Sequence, residues 1–174
     1  MELISSATVG AGGATNIDFT SIPGTYTDLV LLISARSGSA GDTLWMRLNN
    51  DSSTACNDRW VNGDGANVTS GQSTGNSFVR LGIITSNDTA STFNNFQVYM
   101  PNYAGSANKT FQTDAVSENN GTTAQQRISS GLWPVTSAIT RITISNNGSS
   151  ISQHSTAYLY GILKGSGGAT VTSA

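Results

Sequence analysis

An all-β, antiparallel β-sandwich is the fold class this sequence predicts, on three observations. Short apolar runs alternate with polar residues at the two-residue period of a strand. Turn formers recur about every 8 to 12 residues, and no stretch carries helical periodicity of useful length. At 18.0 kDa the chain is one domain's worth of sequence, able to withdraw roughly 70% of its unfolded surface from water on folding. We assign residues 1–164 to one jelly-roll-like domain and residues 165–174 to a Gly/Ser-rich C-terminal tail. An immunoglobulin-like sandwich is the second candidate, without the paired cysteines of antibody domains.

Each element rests on its own residues. Leu3 to Val9 and Ala14 to Phe19, separated by Gly10-Ala11-Gly12-Gly13, form an N-terminal hairpin. Tyr26 to Arg36 is the most apolar strand: Leu29, Leu31, Ile33 and Ala35 share one face, and Val30 and Leu32 on the other predict a central strand partly covered on both sides. Leu44, Met46 and Leu48 alternate with Trp45 and Arg47 in the next strand, after the Gly41-Asp42 turn. Asn50 to Asn76 has little apolar content beyond Trp60, Val61 and Val68, and Asn62-Gly63-Asp64-Gly65 is turn chemistry, so this stretch reads as an elaborated loop. Strands resume at Phe78 to Ile84, Phe93 to Met100 (ended by Pro101-Asn102), Lys109 to Val116, and Gln125 to Trp133 (ended by Pro134). Ala138 to Ser145 and Ser155 to Leu163, joined across Asn146-Asn147-Gly148-Ser149-Ser150, read as a closing hairpin with Tyr158, Tyr160 and Ile162 on one face.

Charge is scarce, with eight Lys plus Arg, ten Asp plus Glu and a net charge of −2. A soluble chain draws about a quarter of its residues from these four types. Hydroxyls, amides and short turns must therefore keep this surface wet, and such a surface suits contact with other protein copies or with sugars, because few ions need desolvating. The scattered cations argue against a nucleic-acid partner. No segment approaches a membrane span, and Met1-Glu2-Leu3-Ile4 lacks the basic and apolar regions of a secretory signal, so synthesis in a cytoplasm is expected.

Chemistry-bearing residues are few. Cys56 is the single cysteine and reads as an incidental thiol. His154, the single histidine, lies beside Ser152 and Ser155 at a turn-to-strand junction and is the sole base a Ser/His/Asp triad could use. Asp114 and Glu118, four apart on one strand face, stand roughly 13 Å apart along an extended chain, too far for a glycosidase pair. Asp58, Asn62, Asp64 and Asn67 offer oxygen ligands to Ca²⁺ but lack the bidentate Glu of an EF-hand loop, and read as turn chemistry. Asn-x-Ser/Thr triplets at Asn50, Asn67, Asn87, Asn108, Asn120 and Asn147 follow from composition. Trp45, Trp60 and Trp133 are core or, for Trp60 in its polar stretch, an exposed ring able to stack on sugar. No catalytic residue, metal or cofactor is expected.

Several segments together carry a likeness to a known group: Ile22-Pro23-Gly24-Thr25-Tyr26-Thr27-Asp28-Leu29-Val30-Leu31, Ser34-Ala35-Arg36-Ser37, Met100-Pro101-Asn102-Tyr103-Ala104-Gly105-Ser106, Glu118-Asn119-Asn120, Gly131-Leu132-Trp133 and Ser155-Thr156-Ala157-Tyr158-Leu159-Tyr160-Gly161-Ile162. The chain resembles small virion structural proteins of tailed bacteriophages, especially those of cyanobacteria and other aquatic bacteria. The likeness spans most of the chain, is most specific in the Tyr26–Val30 and Leu159–Ile162 pieces, and is weakest after Asn50. It implies a β-sandwich built into the virion, with no catalytic residues to carry over. The resemblance leaves capsid and tail both open; small size, the lack of an enzymatic or fibrous segment and the C-terminal tail favour a capsid cement or decoration protein, a homotrimer bridging the major capsid protein or other virion proteins. A tail- or fibre-associated module binding host glycan is the alternative. Trp60, Tyr103, Gly165 and Val171 are the expected surface contacts, and the tail from Gly165 to Ala174 is expected to tether neighbouring subunits.

Overall fold

The computed structural model describes residues 1–39, 42–120 and 124–163. Those residues form twelve strands and no helix, so none is long and apolar enough to cross a membrane. The strands are β1 (Glu2–Thr8), β2 (Asn16–Phe19), β3 (Asp28–Ala35), β4 (Asp42–Leu48), β5 (Cys56–Gly63), β6 (Val68–Asn76), β7 (Val79–Ile84), β8 (Asn94–Met100), β9 (Lys109–Ser117), β10 (Gln125–Trp133), β11 (Ile142–Asn146) and β12 (Thr156–Ile162). They build two antiparallel sheets, one of eight strands ordered β1-β12-β3-β8-β9-β10-β5-β6 and one of four ordered β2-β11-β4-β7. The sandwich expected from the alternation is thus present. The tail, with Gly165 and Val171, lies outside the described residues.

Two strand pairs, β5–β6 and β9–β10, lengthen the large sheet only. Without them the remaining eight strands run first-eighth-third-sixth in one sheet and second-seventh-fourth-fifth in the other. We read this order as jelly-roll-like.

The core lies between the sheets. Leu29, Leu31, Ile33 and Ala35 of β3 face Leu44, Met46 and Leu48 of β4 and Ile142 and Ile144 of β11 in one continuous buried cluster. β3 is third in its sheet, flanked by β12 and β8, and Val30 is buried on its other face, as the two-sided apolar pattern requires. Gly82 lets β7 approach the large sheet, since a Cβ there would stand 2.8 Å from that of Ala115.

Three expectations are corrected. β1 and β2 are no hairpin: β1 pairs with β12 and β2 with β11, in different sheets. Gly12 and Gly13, both at positive φ, turn the chain between the layers, because Ile17 and Phe19 can be buried only in the small sheet. β11 and β12 are no hairpin either, since the turn carrying Asn147 and Gly148 at positive φ crosses from small sheet to large. Residues 50–76 are not a loop but contain β5 and β6. Their apolar alternation is muted because β6 has no fully buried residue and the buried positions of β5 are Cys56 and the charged Asp58.

Buried polar ties join the loops to this frame. The Arg36 guanidinium donates to the carbonyls of Ser86, Asp88, Thr89 and Thr92, gathering the turn between β7 and β8 around one side chain. Trp133, buried, donates from Nε1 to Asp51 Oδ2 at 2.7 Å. That bond first, and those from Ser53 second, hold the Asp51 carboxyl below the usual carboxylate range. A depressed folded value means the tie contributes stability above the ordinary carboxylate pKa of about 4 and loses it as pH falls through the folded value. Trp133→Phe should cost about 1 to 3 kcal/mol at pH 7 in urea melts, and the difference from the parent should shrink toward about pH 3. A pH-independent difference would assign the loss to packing alone.

Candidate functional site

The broadest organised surface is the outer face of the eight-stranded sheet, away from the small one. Strand register fixes its composition. One row runs across all eight strands as Ser6, Tyr158, Leu32, Gln97, Asp114, Ile128, Val61 and Ser70, each opposite the next. On either side run Leu3, Tyr160, Val30, Tyr99, Gln112, Ser130, Arg59 and Gln72, and Thr8, Thr156, Ser34, Asn95, Val116, Gln126, Gly63 and Val68. Asp114 and Arg59 are the charged members of these three rows. The face is therefore a wall of amides, hydroxyls, tyrosines and isolated aliphatic groups.

Among the hollows of this wall, two adjoin one another on β3, β8, β9 and β12. Leu32, Ser34, Asn95, Gln97, Asp114, Val116, Thr156 and Tyr158 line an open hollow of about 400 Å³. Gln97 and Asp114 also line the adjoining one of about 210 Å³, with Tyr99 and Gln112. Tyr99 is held in place by donating its hydroxyl to Asp28 Oδ2 at 2.9 Å, and Asp28 Oδ1 accepts from the Asn102 backbone N–H at 2.8 Å. The hydrogen bond to Asp28 pushes the Tyr99 phenol pKa up, so its proton stays on. Toward the β6 edge, Ile128, Val61 and Val68 are 55%, 50% and 77% exposed, a diagonal apolar stripe in an otherwise polar field.

The inner face of the same extension carries a buried ionic group. Asp58, 1% exposed, stands 3.6 Å from Arg80 and 3.9 Å from Arg127, longer than direct hydrogen bonds. Burial pushes the Asp58 carboxyl up, and the two guanidiniums pull it back. Burial likewise pushes the Arg127 guanidinium down, and its carbon lies 4.5 Å from the centroid of the Trp60 ring. We read this cluster as the tie between β5, β7 and β10.

The expected contact residues separate. Trp60 is not in a loop and is half-buried on β5. Its indole leans onto Gly71, where a Cβ would come within 2.4 Å, and lies under Arg127, so it is engaged by its own chain. Tyr103 is no surface contact at all: it is fully buried, with its hydroxyl donating to the Pro23 carbonyl. The turn composition around it masked an aromatic anchor that pins residues 101–105 to the core. Cys56 is buried at the start of β5, and burial first pushes its thiol up to about 11. His154 is exposed in the β11–β12 connection at a φ of 71°. Asp114 lies exposed on β9 and Glu118 just beyond it, where Glu118 caps the Asn120 backbone N–H. Asp64 accepts from the backbone N–H groups of Ala66 and Asn67, which is turn chemistry. Trp45 stacks on Phe78 with centroids 3.8 Å apart. Among the described residues no group of three or more His, Cys, Asp or Glu is placed to hold a metal ion.

The sequence offers Asp114 only as half of a carboxylate pair and Tyr158 only as a strand-face residue, and it does not mark Gln97, Tyr99 and Gln112 as members of a site. Their signal was present in Asn95-Gln97-Tyr99, the polar partners of Phe96-Val98-Met100, but alternation tells which face is polar and not that eight such strands align. No family model, curated protein or solved structure matches this chain.

Proposed function

We propose that this chain is a structural protein of a tailed-bacteriophage virion, made in the host cytoplasm, that works by surface contact as a capsid cement bridging capsid subunits. The sequence resemblance supplies the virion, and one observation supports contact as the mode of action: three aligned rows of the outer face hold two charged residues across eight strands. A face of that kind can be covered by a protein partner at small desolvation cost, with tyrosines and aliphatic side chains supplying apolar area. Repetition over many shell sites multiplies weak contacts.

Immunogold electron microscopy of virions with antibody to this chain should label heads, and virions that remain unlabelled would overturn the reading. Gln97→Glu sets a second carboxylate directly opposite Asp114 in the middle of the face. It should weaken binding to capsids stripped of this chain by about tenfold or more while the chain itself stays folded. Unchanged binding would place the contact elsewhere.

A second reading, a tail-associated module binding host glycan, is favoured by the hollow that sets a tyrosine ring beside amides, hydroxyls and one carboxylate. That set matches a neutral polyol. Label confined to tail fibres, together with a glycan-array signal lost on Tyr158→Ala, would select it.

A further inference from the structure

The two adjoining hollows of the outer face do not end at β9. Gln112, which lines the second, also lines a third of about 470 Å³ with Arg59, Val61, Ile128 and Ser130. Arg59 and Ser130 in turn line a fourth of about 490 Å³ with Asn57, Thr74, Thr110 and Leu132. Shared side chains thus join four hollows into one trough, running diagonally across the strands from Thr156 and Tyr158 on β12 to Asn57 and Arg59 on β5. The right-handed twist of an open sheet bends one diagonal of each face inward, which accounts for a trough in this direction. The strand steps from β12 to β5, at about 4.8 Å each, and the offset from Val116 to Thr110 along β9, at about 3.3 Å per residue, make it about 30 Å long.

We infer that this trough binds a linear, uncharged polysaccharide segment laid across the strands, several sugar units at a time. The inference deepens the glycan-binding reading above and rests on it, not on the cement reading. The lining selects the occupant. The side chains of Asn95, Gln97, Gln112 and Asp114 make no hydrogen bond to other described residues, whereas Asn49 and Asn146 spend their amides on the fold. Each open amide offers donors and an acceptor together, the combination that sugar hydroxyls pair with. Tyr158 and Tyr99, 37% and 36% exposed, add ring area for the C–H faces of a sugar. Asp114 and Arg59 are the charged residues of the lining, opposite in sign and in separate hollows, so a polyanion or polycation meets no complement. An extended peptide finds no row to pair with, because β3, β8, β9 and β10 each have a hydrogen-bonded neighbour on both sides.

Calorimetric titration of the full chain tests it, with neutral linear oligosaccharides of glucose, galactose, mannose or N-acetylglucosamine, from disaccharide to octasaccharide. In at least one series the affinity should rise about tenfold or more with length and level off once the trough is filled. Tyr158 and Arg59 are exposed at opposite ends of the trough, so Tyr158→Ala and Arg59→Ala leave the core intact. Each should weaken the longest oligomer by about threefold or more, with thermal melts matching the parent. Binding that is independent of length, or lost with Tyr158→Ala and untouched by Arg59→Ala, would confine the site to the first hollow; that would overturn the trough and leave the glycan reading standing. Tighter binding of acidic oligosaccharides would overturn the uncharged occupant. Absence of binding in every series would overturn the trough and the glycan reading together.

Discussion

Leu31→Ala is expected to lower the unfolding free energy by about 2 to 5 kcal/mol. Leu31 is fully buried in the middle of β3, opposite Leu159 on β12 and Val98 on β8, both also fully buried. With strands on both sides and the small sheet above, the lattice around it has little room to collapse, so the removed methyl groups leave a cavity as well as a lost transfer term. Urea melts read the change through the midpoint at constant slope. A loss below about 0.5 kcal/mol would show that the face is effectively solvated and that the sheet packing described above is wrong.

Lys109→Met is expected to cost about 3 kcal/mol or more, although the side chain keeps its aliphatic length. Lys109 is 1% exposed at the start of β9. Its Nζ donates to the carbonyls of Gly105 at 2.7 Å, Ala107 at 2.5 Å and Thr136 at 3.1 Å, lacing the two loops that close this end of the sandwich. Burial pushes its ammonium pKa down, yet removing the group leaves three inward carbonyls without their donor, and unsatisfied buried acceptors cost more than the bond itself returns. Melts of Lys109→Met and of Lys109→Arg separate the causes. Met should be strongly destabilised even though its stem fills the channel, and equal stability of parent and Met variant would show that water can serve the carbonyls as well.

The largest errors of reading lie where tertiary structure changes what a pattern means. Alternation placed β3, β4, β7, β8, β9, β10 and β12 within a few residues of their observed bounds, because each buries one face against a second sheet and period-two burial leaves its mark on the sequence. β5 and β6 carry no such apolar mark: β6 has no fully buried residue, and the buried residues of β5 are Cys56 and Asp58, the second held by Arg80 and Arg127. Lys109 and Tyr103 read as a strand boundary and a polar turn, yet both are fully buried anchors, since their partners are carbonyls that any sequence would supply.

What the sequence by itself determined is the class and most of the strands: an antiparallel sandwich with an apolar interior and a surface sparse in charge. Local periodicity and composition suffice for that, because they depend on which face meets water and not on which strand is the neighbour. Sheet assignment was decided only in the folded chain. The turns after β1 and after β11 look like hairpin turns, but the sandwich sends the following strand to the opposite sheet, where Ile17 or Leu159 finds a buried place. The outer wall belongs to the same category. Tyr158, Gln97, Asp114 and Val61 are far apart in sequence, and only the register of eight hydrogen-bonded strands places them in a single row.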